Sequence, residues 1–365
     1  MRTLVIIINY YSALLTRKAV QSVFKSGSIG PVEVVVVDNS EDNAEADLLK
    51  RMLDATCRII IPEHNLGFGQ ACNLAMKDAS CEAVLLLNPD AVLLPKALSR
   101  MQKSLFALQN AGAVGPQIFW DEGLSFYLPP SYPPNLYLWQ PVLHSWGFNS
   151  LTYKVVKGLW RRFSIKVWSA EAPVKVPALS GGHILLKREA IAEAGGLFDP
   201  RFFMYFEDTD LCKRLKTRGY SLYVVPGAEA VHAYGGCGGD NCRDLKKNWM
   251  RQSKQIFTEK HLSSKSRFFQ GFLVRSGSLK VESVGPVRFT SPFVLEIPAK
   301  LRKEWLFEWS PSPDFIPCAG KFGSGAQLEF TKNLWDILRP GEYFGRIGKP
   351  YGLFPEFVTF SWKKI

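Results

Sequence analysis

Long apolar runs are missing from this sequence. No stretch reaches the roughly 18 apolar residues that a membrane span needs, so the chain is expected to be soluble or peripheral. The N-terminal MRTLVIIINYYS ceases to be apolar at Asn9, and no small-residue cleavage site follows. It reads as a first buried strand rather than a signal peptide. Paired cysteines are missing too. The seven cysteines are odd in number and scattered, which argues against a disulfide framework and for a reducing compartment. Cys237 and Cys242 form one C-x4-C pair without a second pair at zinc spacing, and read as loop cysteines. No P-loop, HExxH or GxSxG signature occurs. Acid is in deficit: 33 Asp and Glu face 45 Lys and Arg, a net charge of +12. A basic surface suits a polyanion, an anionic membrane face or a phosphorylated substrate, and says nothing about fold.

What is present is ordinary globular material, 47% apolar and 21% charged over 365 residues. That length suits one large core with an appendage, or two domains. The first part alternates apolar β-branched runs with helical patterns. Strand-like runs fall at 4–8, 32–38, 57–62 and 83–90, with helix-like stretches between them and another opening at Pro95. Such alternation predicts a parallel sheet with right-handed crossovers, covered on both faces. Sheets of this kind bind ligands at the carboxyl ends of their strands. Here those ends read Asn9, Asp38, Glu63-His64-Asn65 and Asn88-Pro89-Asp90.

Residues 119–176 change character. YLPPSYPPNLYLWQPVLHSWGF reads as an irregular loop. TYKVVKGLWRRFSIKVW then places Val156, Leu159, Trp160, Phe163 and Val167 at helical spacing, with Lys154, Lys157, Arg161, Arg162 and Lys166 between them. Two readings stay open for this basic amphipathic helix: contact with an anionic membrane, or packing on its own domain. From about Ser264 short β-rich runs cut by Gly and Pro read as a small β-sandwich, structural or docking in role, with glycan binding a weaker reading.

The residues from 178 to 236 carry the chemistry. They read small-Gly-Gly, an apolar strand, a basic pair with Glu-Ala, GGLFDP, the aromatic run RFFMYF, EDTDL, a basic helix, RGY, and a strand closing on His232. Upstream stand VVVDNS, NLGFGQACN and LLLNPDA, and downstream WMRQSKQIFTEKH. In this order the elements resemble a family 2 glycosyltransferase, the inverting GT-A type, and above all its rhamnosyltransferase-like branch. The resemblance covers roughly residues 3–262. It implies an α/β GT-A nucleotide-diphospho-sugar transferase fold: a Rossmann-like mixed sheet flanked by helices over 1–263, with a C-terminal all-β domain over 264–365.

By matching position, the resemblance implies a donor site of Asn9, Asp38, Asn65, Gly67, Asn73 and Asn88. Gly181 and Gly182 would line the acceptor side. Asp90 and His232 would hold a divalent ion, magnesium or manganese. Asp208 would be the general base, with Glu207 orienting the acceptor or pairing with a neighbouring cation, while Asp210 reads as helix capping. Three departures stand out. DNSEDN is one residue tighter than the family's usual spacing, Asn88 replaces the first Asp of Asp-x-Asp, and HAYGGCGGDNC replaces His-x-x-Gly-x-Ser. Gln-x-x-Arg-Trp is absent, which favours transfer of a single sugar.

The implied function is transfer from a nucleotide-diphosphate sugar, dTDP-rhamnose favoured and UDP- or GDP-sugars open, to a glycan or lipid-linked glycan of a bacterial cell envelope. The implied place is the cytoplasm, with peripheral contact on the inner membrane face and no nucleic-acid partner. Two rivals are a nucleotide-sugar or glycan binder without catalysis, and a sugar nucleotidyltransferase. The second would want a glycine-rich phosphate loop after strand one, where NYYSALLTRKA has no glycine.

Overall fold

The computed structural model describes residues 1–53, 55, 57–145, 151–232, 243–273, 287–352 and 356–365. Cys237 and Cys242 lie outside the described residues. The chain divides into two compact units, and neither is continuous in sequence. Unit 1 comprises Met1–Gln117, Pro130–Leu138 and Ala170–Phe268. Unit 2 comprises Ile118–Pro129, Trp139–Ser169 and Phe269–Ile365. The middle of the chain is therefore shared out, where the sequence reading kept 1–263 together.

Unit 1 opens with β1 (Thr3–Asn9), α1 (Ala13–Lys25), β2 (Val32–Asp38), α2 (Asn43–Met52), β3 (Cys57–Ile60), α3 (Gly67–Met76), β4 (Ala83–Leu87), β5 (Ala91–Leu93), α4 (Ala97–Ala107) and β6 (Ala111–Phe119), whose last residues pass into unit 2. The helix expected to open at Pro95 starts two residues later, because Lys96 takes a left-handed conformation before it. After α5 (Pro134–Ser145) and α6 (Leu151–Trp168) come β7 (Val174–Val176), β8 (His183–Lys187), α7 (Arg188–Glu193), α8 (Glu207–Thr217), β9 (Ser221–His232), α9 (Arg243–His261) and α10 (Ser264–Leu273).

The strand order is β3-β2-β1-β4-β8-β6-β9-β5, with β7 paired to β9. β1, β2, β3 and β4 are parallel, and β8 turns antiparallel against β4. This is the mixed, helix-flanked sheet that the resemblance implied. All seven residues of β1 and all five of β4 are buried, as continuous apolar strands must be when both sheet faces are covered.

Two expectations need correction. The Pro-rich stretch read as irregular contains α5, with Pro134 at the first helical position, where its missing N–H costs nothing. The β-rich tail does not begin at Ser264, since α10 occupies Ser264–Leu273.

Unit 2 holds β10 (Val287–Phe289), β11 (Phe293–Glu296), β12 (Trp305–Ser310), β13 (Ala319–Gly323), β14 (Gln327–Phe330), α11 (Lys332–Ile337), β15 (Gly341–Gly348) and β16 (Phe357–Lys364). They form a five-stranded sheet, β10-β16-β15-β12-β13, and a two-stranded sheet, β11-β14. Both sheets contribute to one aromatic core that includes Phe293, Trp305, Phe307, Phe330, Phe360 and Trp362. Many aromatics of this unit are thus spent inside its core. The segment before α5 joins this unit, because Tyr127 and Gly320 exchange backbone hydrogen bonds of 2.9 and 3.0 Å.

The helix α6 packs its Ile165 and Trp168 with Leu306, Phe315 and Cys318 of the same unit. Arg161, placed on the polar face from sequence, is buried instead. It donates to Glu308 at 2.7 Å, and Arg346 donates to the same carboxylate at 2.8 Å. The apolar residues that α6 leaves exposed are Leu151, Val155 and Leu159, one turn apart, beside exposed Lys154, Arg162 and Lys166. That stripe differs from the predicted one, in which Trp160 and Val167 are buried.

Candidate active site

The parallel strands deliver their carboxyl ends to one edge of unit 1. Asn9 and Asp38 stand in register at the ends of β1 and β2. The Asn9 amide nitrogen donates to Asp38 Oδ1 at 3.0 Å and Glu45 Oε1 at 3.0 Å, while its oxygen accepts from Ser12 and Thr16. Asn9 is fully buried, and both ends of its amide are engaged inside the protein. It braces Asp38 rather than facing a ligand. The Asp38 carboxylate also accepts from the Ser40 hydroxyl at 2.6 Å.

The loop before α3 is fixed from two sides. Asn65 Oδ1 accepts from Gly67 N–H at 2.9 Å, and Asn39, which sequence reading missed, donates to the Gly67 carbonyl at 3.0 Å. Gly67 has φ +71, and a side chain there would run into the Phe203 carbonyl. Only glycine lets α3 approach the aromatic run so closely. Phe68 N–H closes the contact by donating to Phe203 O at 2.9 Å. Asn73 is a second correction. Its amide is spent in both directions on the backbone of Phe198, at 2.9 and 3.1 Å, so it clamps the Gly-Gly-x-Phe-Asp loop.

The aromatic run ends in two consecutive left-handed residues, Tyr205 (φ 72) and Phe206 (φ 65). Bulky residues seldom adopt that conformation, and backbone strain of this kind clusters at functional sites. Phe206 is held by packing with Leu138, Phe202 and Phe257. The acids of α8 follow at once and separate into three environments. Asp208 is half-buried and accepts from Gly181 N–H at 3.0 Å and Thr209 N–H at 2.6 Å. Burial pushes its carboxyl up, and these donors offset that only in part.

Glu207 is buried, with one carboxyl oxygen that has no hydrogen-bond partner. Burial first, then the neighbouring Asp208, push it up to about 8, so it holds its proton at neutral pH. No cation among the described residues forms an ion pair with it, which corrects that part of the expectation. Asp210 does more than cap the helix. It is fully buried, ion-paired with Arg214 at 2.7 Å and Lys260 at 2.9 Å, and 2.7 Å from His261 Nε2. Burial raises its carboxyl, but these three partners outweigh that and hold it below the usual range. Arg214 also donates to the carbonyls of Ala194, Gly196 and Leu197. One carboxylate thus ties α8 to α9 and to the loop beside them.

The other half of the site is the link Asn88-Pro89-Asp90 between β4 and β5. Asn88 N–H donates to Gly182 O at 2.8 Å. Asp90 Oδ1 lies 3.0 Å from His232 Nε2, and both side chains are buried. Gly181 and Gly182 join the halves. A Cβ on Gly181 would stand 3.3 Å from Asp208 Cβ, and one on Gly182 would stand 2.7 Å from Asn88 Nδ2 and 3.3 Å from His232 Cε1. Of the pair expected on the acceptor side, Gly182 therefore packs against Asn88 and His232.

Residues 4–168 match the family model described as glycosyl transferase family 2. The chain carries a family 2 glycosyltransferase domain. It is 30% identical over 222 residues to the N-acetylglucosaminyl-diphospho-decaprenol L-rhamnosyltransferase of Mycobacterium tuberculosis, covering 55% of this chain and 66% of that relative. It is 27% identical over 199 residues to the rhamnosyltransferase WbbL of Escherichia coli, covering 52% of this chain and 70% of the relative. The chain thus spans about two thirds of the length of these relatives. Among solved structures, the mannosyltransferase PcManGT from Pyrobaculum calidifontis, in complex with GDP-Man and Mn2+, gives a TM-score of 0.47 at 20% identity over 74% of this chain and 67% of its own.

The donor set of this family 2 domain suits a hard divalent ion. Asp90 and His232, with Oδ1 and Nε2 3.0 Å apart, are the residues that would hold it. Among the described residues no group of three or more His, Cys, Asp or Glu could hold a metal unaided. An ion here would draw its remaining ligands from phosphate oxygens and water, as magnesium sites commonly do. A second histidine beside this pair was missed from sequence. His183, the first residue of β8, lies with its ring centroid 5.6 Å from that of His232, at an interplanar angle of 82°. Burial, then His232, push its imidazole down to about 3. Its Nδ1 is buried without a partner, which costs a fold about 1–3 kcal/mol. Position alone carried that signal, since His183 directly follows Gly181-Gly182.

Proposed function

We propose that this chain moves one sugar, with inversion, from a nucleotide-diphosphate sugar to a hydroxyl of a glycan or lipid-linked glycan in bacterial envelope synthesis. dTDP-rhamnose is the favoured donor, since both relatives above are rhamnosyltransferases, and one is named for a diphospho-decaprenol substrate. The observation that carries the reading is the Gly181-Gly182 step. It sets a half-buried carboxylate on one residue and the Asn88, Asp90 and His232 cluster on the next.

The chemistry needs both ends. An acceptor hydroxyl is a poor nucleophile at neutral pH, so Asp208 takes its proton as the new bond to the anomeric carbon forms. The bond from that carbon to the diphosphate breaks on the opposite face, and the nucleoside diphosphate leaves. A magnesium or manganese ion held by Asp90 and His232 would neutralise the charge growing on that diphosphate. Asp38 and Asn65 are assigned to the nucleotide, with Asn88 near the ribose and Gly67 bringing the loop backbone close. Phe202 and Phe206 are buried and brace the aromatic run from within, which leaves the half-buried Phe203 and Tyr205 to offer an apolar face to an acceptor ring.

A ligand that binds only the folded state must raise its melting temperature. Nucleoside diphosphates should therefore stabilise the full chain in the presence of manganese, with one base preferred. Asp90→Ala should lose the metal-dependent part. No shift with any nucleotide or sugar nucleotide would sink the donor-site reading.

The acceptor's membrane suggests a place of action. The exposed Leu151, Val155 and Leu159 of α6, flanked by Lys154, Arg162 and Lys166, suit the headgroup region of an anionic bilayer on the cytoplasmic side. Leu159→Glu should at least halve co-sedimentation with anionic liposomes. Wild-type protein left wholly in the supernatant would remove the membrane from the proposal.

A further inference from the structure

The link Asn88-Pro89-Asp90 runs between two antiparallel strand pairs, and an imidazole stands at each end of it. At one end Leu87 of β4 pairs with His183 of β8. At the other, Ala91 of β5 pairs with His232 of β9. His232 meets Asp90 at 3.0 Å. The transfer reaction as derived above gives His183 nothing to do. Yet its side chain is only 7% exposed, it stands edge-to-face with His232, and its Nδ1 has no hydrogen-bond partner. Buried polar atoms are nearly always paired, so an orphan beside a binding centre points to a partner that arrives with the ligand. Packing does not require a histidine here. The following residues of β8, Ile184, Leu185 and Leu186, are all apolar and buried.

We propose that His183 is a second imidazole of the cation centre, a positioning residue whose Nδ1 takes a hydrogen bond from a water held on the ion. The inference rests on the proposed role of Asp90 and His232 as the metal ligands. Direct ligation by His183 is not part of it, since no three such groups among the described residues share a metal geometry. A partner in the outer shell of a metal site orients the inner ligands and sets affinity, and its loss commonly costs 10–100-fold in metal binding.

The test is manganese binding to the full chain in the presence of a nucleoside diphosphate, read from the electron paramagnetic resonance signal of free Mn2+. His183→Phe keeps a ring of similar shape and removes the nitrogen. It should weaken Mn2+ binding roughly 10-fold or more. His183→Gln, which returns a polar atom to the same space, should recover part of that loss. His183→Met replaces the Phe variant if the larger ring lowers the melting temperature. Wild-type affinity in the apolar variant, or no recovery in a folded Gln variant, overturns the proposal. Asp90→Ala runs alongside. If it too binds Mn2+ as the wild type does, the metal centre itself is misplaced, a failure distinct from that of His183.

Discussion

Asp208→Asn should bind the nucleotide sugar as the wild type does and transfer it roughly 10²–10⁴-fold more slowly. Asparagine has the same shape, and its oxygen can still accept from Gly181 N–H or Thr209 N–H, which with the Thr209 hydroxyl orient the wild-type carboxylate. What it lacks is the capacity to take a proton. The pH profile adds a second reading. A base must be deprotonated to act, and burial holds Asp208 above the ordinary aspartate value of 3.8. Wild-type kcat should therefore fall with acidification at a pH above 3.8, and that limb should vanish in the variant. Glu207, pushed up to about 8 by burial and then by Asp208, holds its proton at neutral pH in the wild type and so is not the wild-type base. Single-turnover transfer and donor affinity measured together decide the matter. A variant within about 10-fold of wild type in kcat would move the base elsewhere, Glu207 being first in line.

Glu308→Ala should destabilise unit 2 by about 3–5 kcal/mol, because it strands two buried cations. Glu308 is wholly buried on β12, Arg161 and Arg346 are nearly so, and each arginine donates to its carboxylate. Burial alone would raise that carboxyl, but the two guanidinium groups outweigh it and hold it below 4.5. The sign for pH follows. A carboxyl depressed in the folded state contributes stability above its unfolded value of 4.5, and that contribution drains away as pH falls through the lower folded value. Every tryptophan except Trp249 falls within the ranges of unit 2, so tryptophan fluorescence during urea unfolding reports on this unit. A loss below about 1 kcal/mol would mean that water or a rearranged neighbour replaces the carboxylate.

Much of unit 1 was legible because its signals are local. Continuous apolar strands, the glycines before α3 and the acids opening α8 each announce their place within a few residues. The strand ends Asn9, Asp38 and Asn88-Pro89-Asp90 followed from topology alone. What failed was any judgement that needed the identity of a distant partner. Asn9 and Asn73 look like ligand-facing amides, yet Asn9 is engaged by Asp38 and Glu45, and Asn73 by Phe198, 125 residues away. Asp210 looks like a cap until Lys260 and His261 come back to it from α9. Arg161 belongs by its spacing to a solvated face, and only Glu308 explains its burial. His183 sits inside an apolar strand pattern, where one polar residue gives no hint of which ring it will meet.

The split membership of unit 2 also has a timing. A ribosome adds about 5–20 residues per second. Glu308 follows Arg161 by 147 positions, so the arginine is made roughly 7–30 seconds before its counter-charge exists. Trp168 waits a similar time for the β12 residue Leu306, against which it finally packs. During synthesis α6 is thus a basic, aromatic helix with no sheet to lie on. The growing chain must keep it from other company until its last strands emerge.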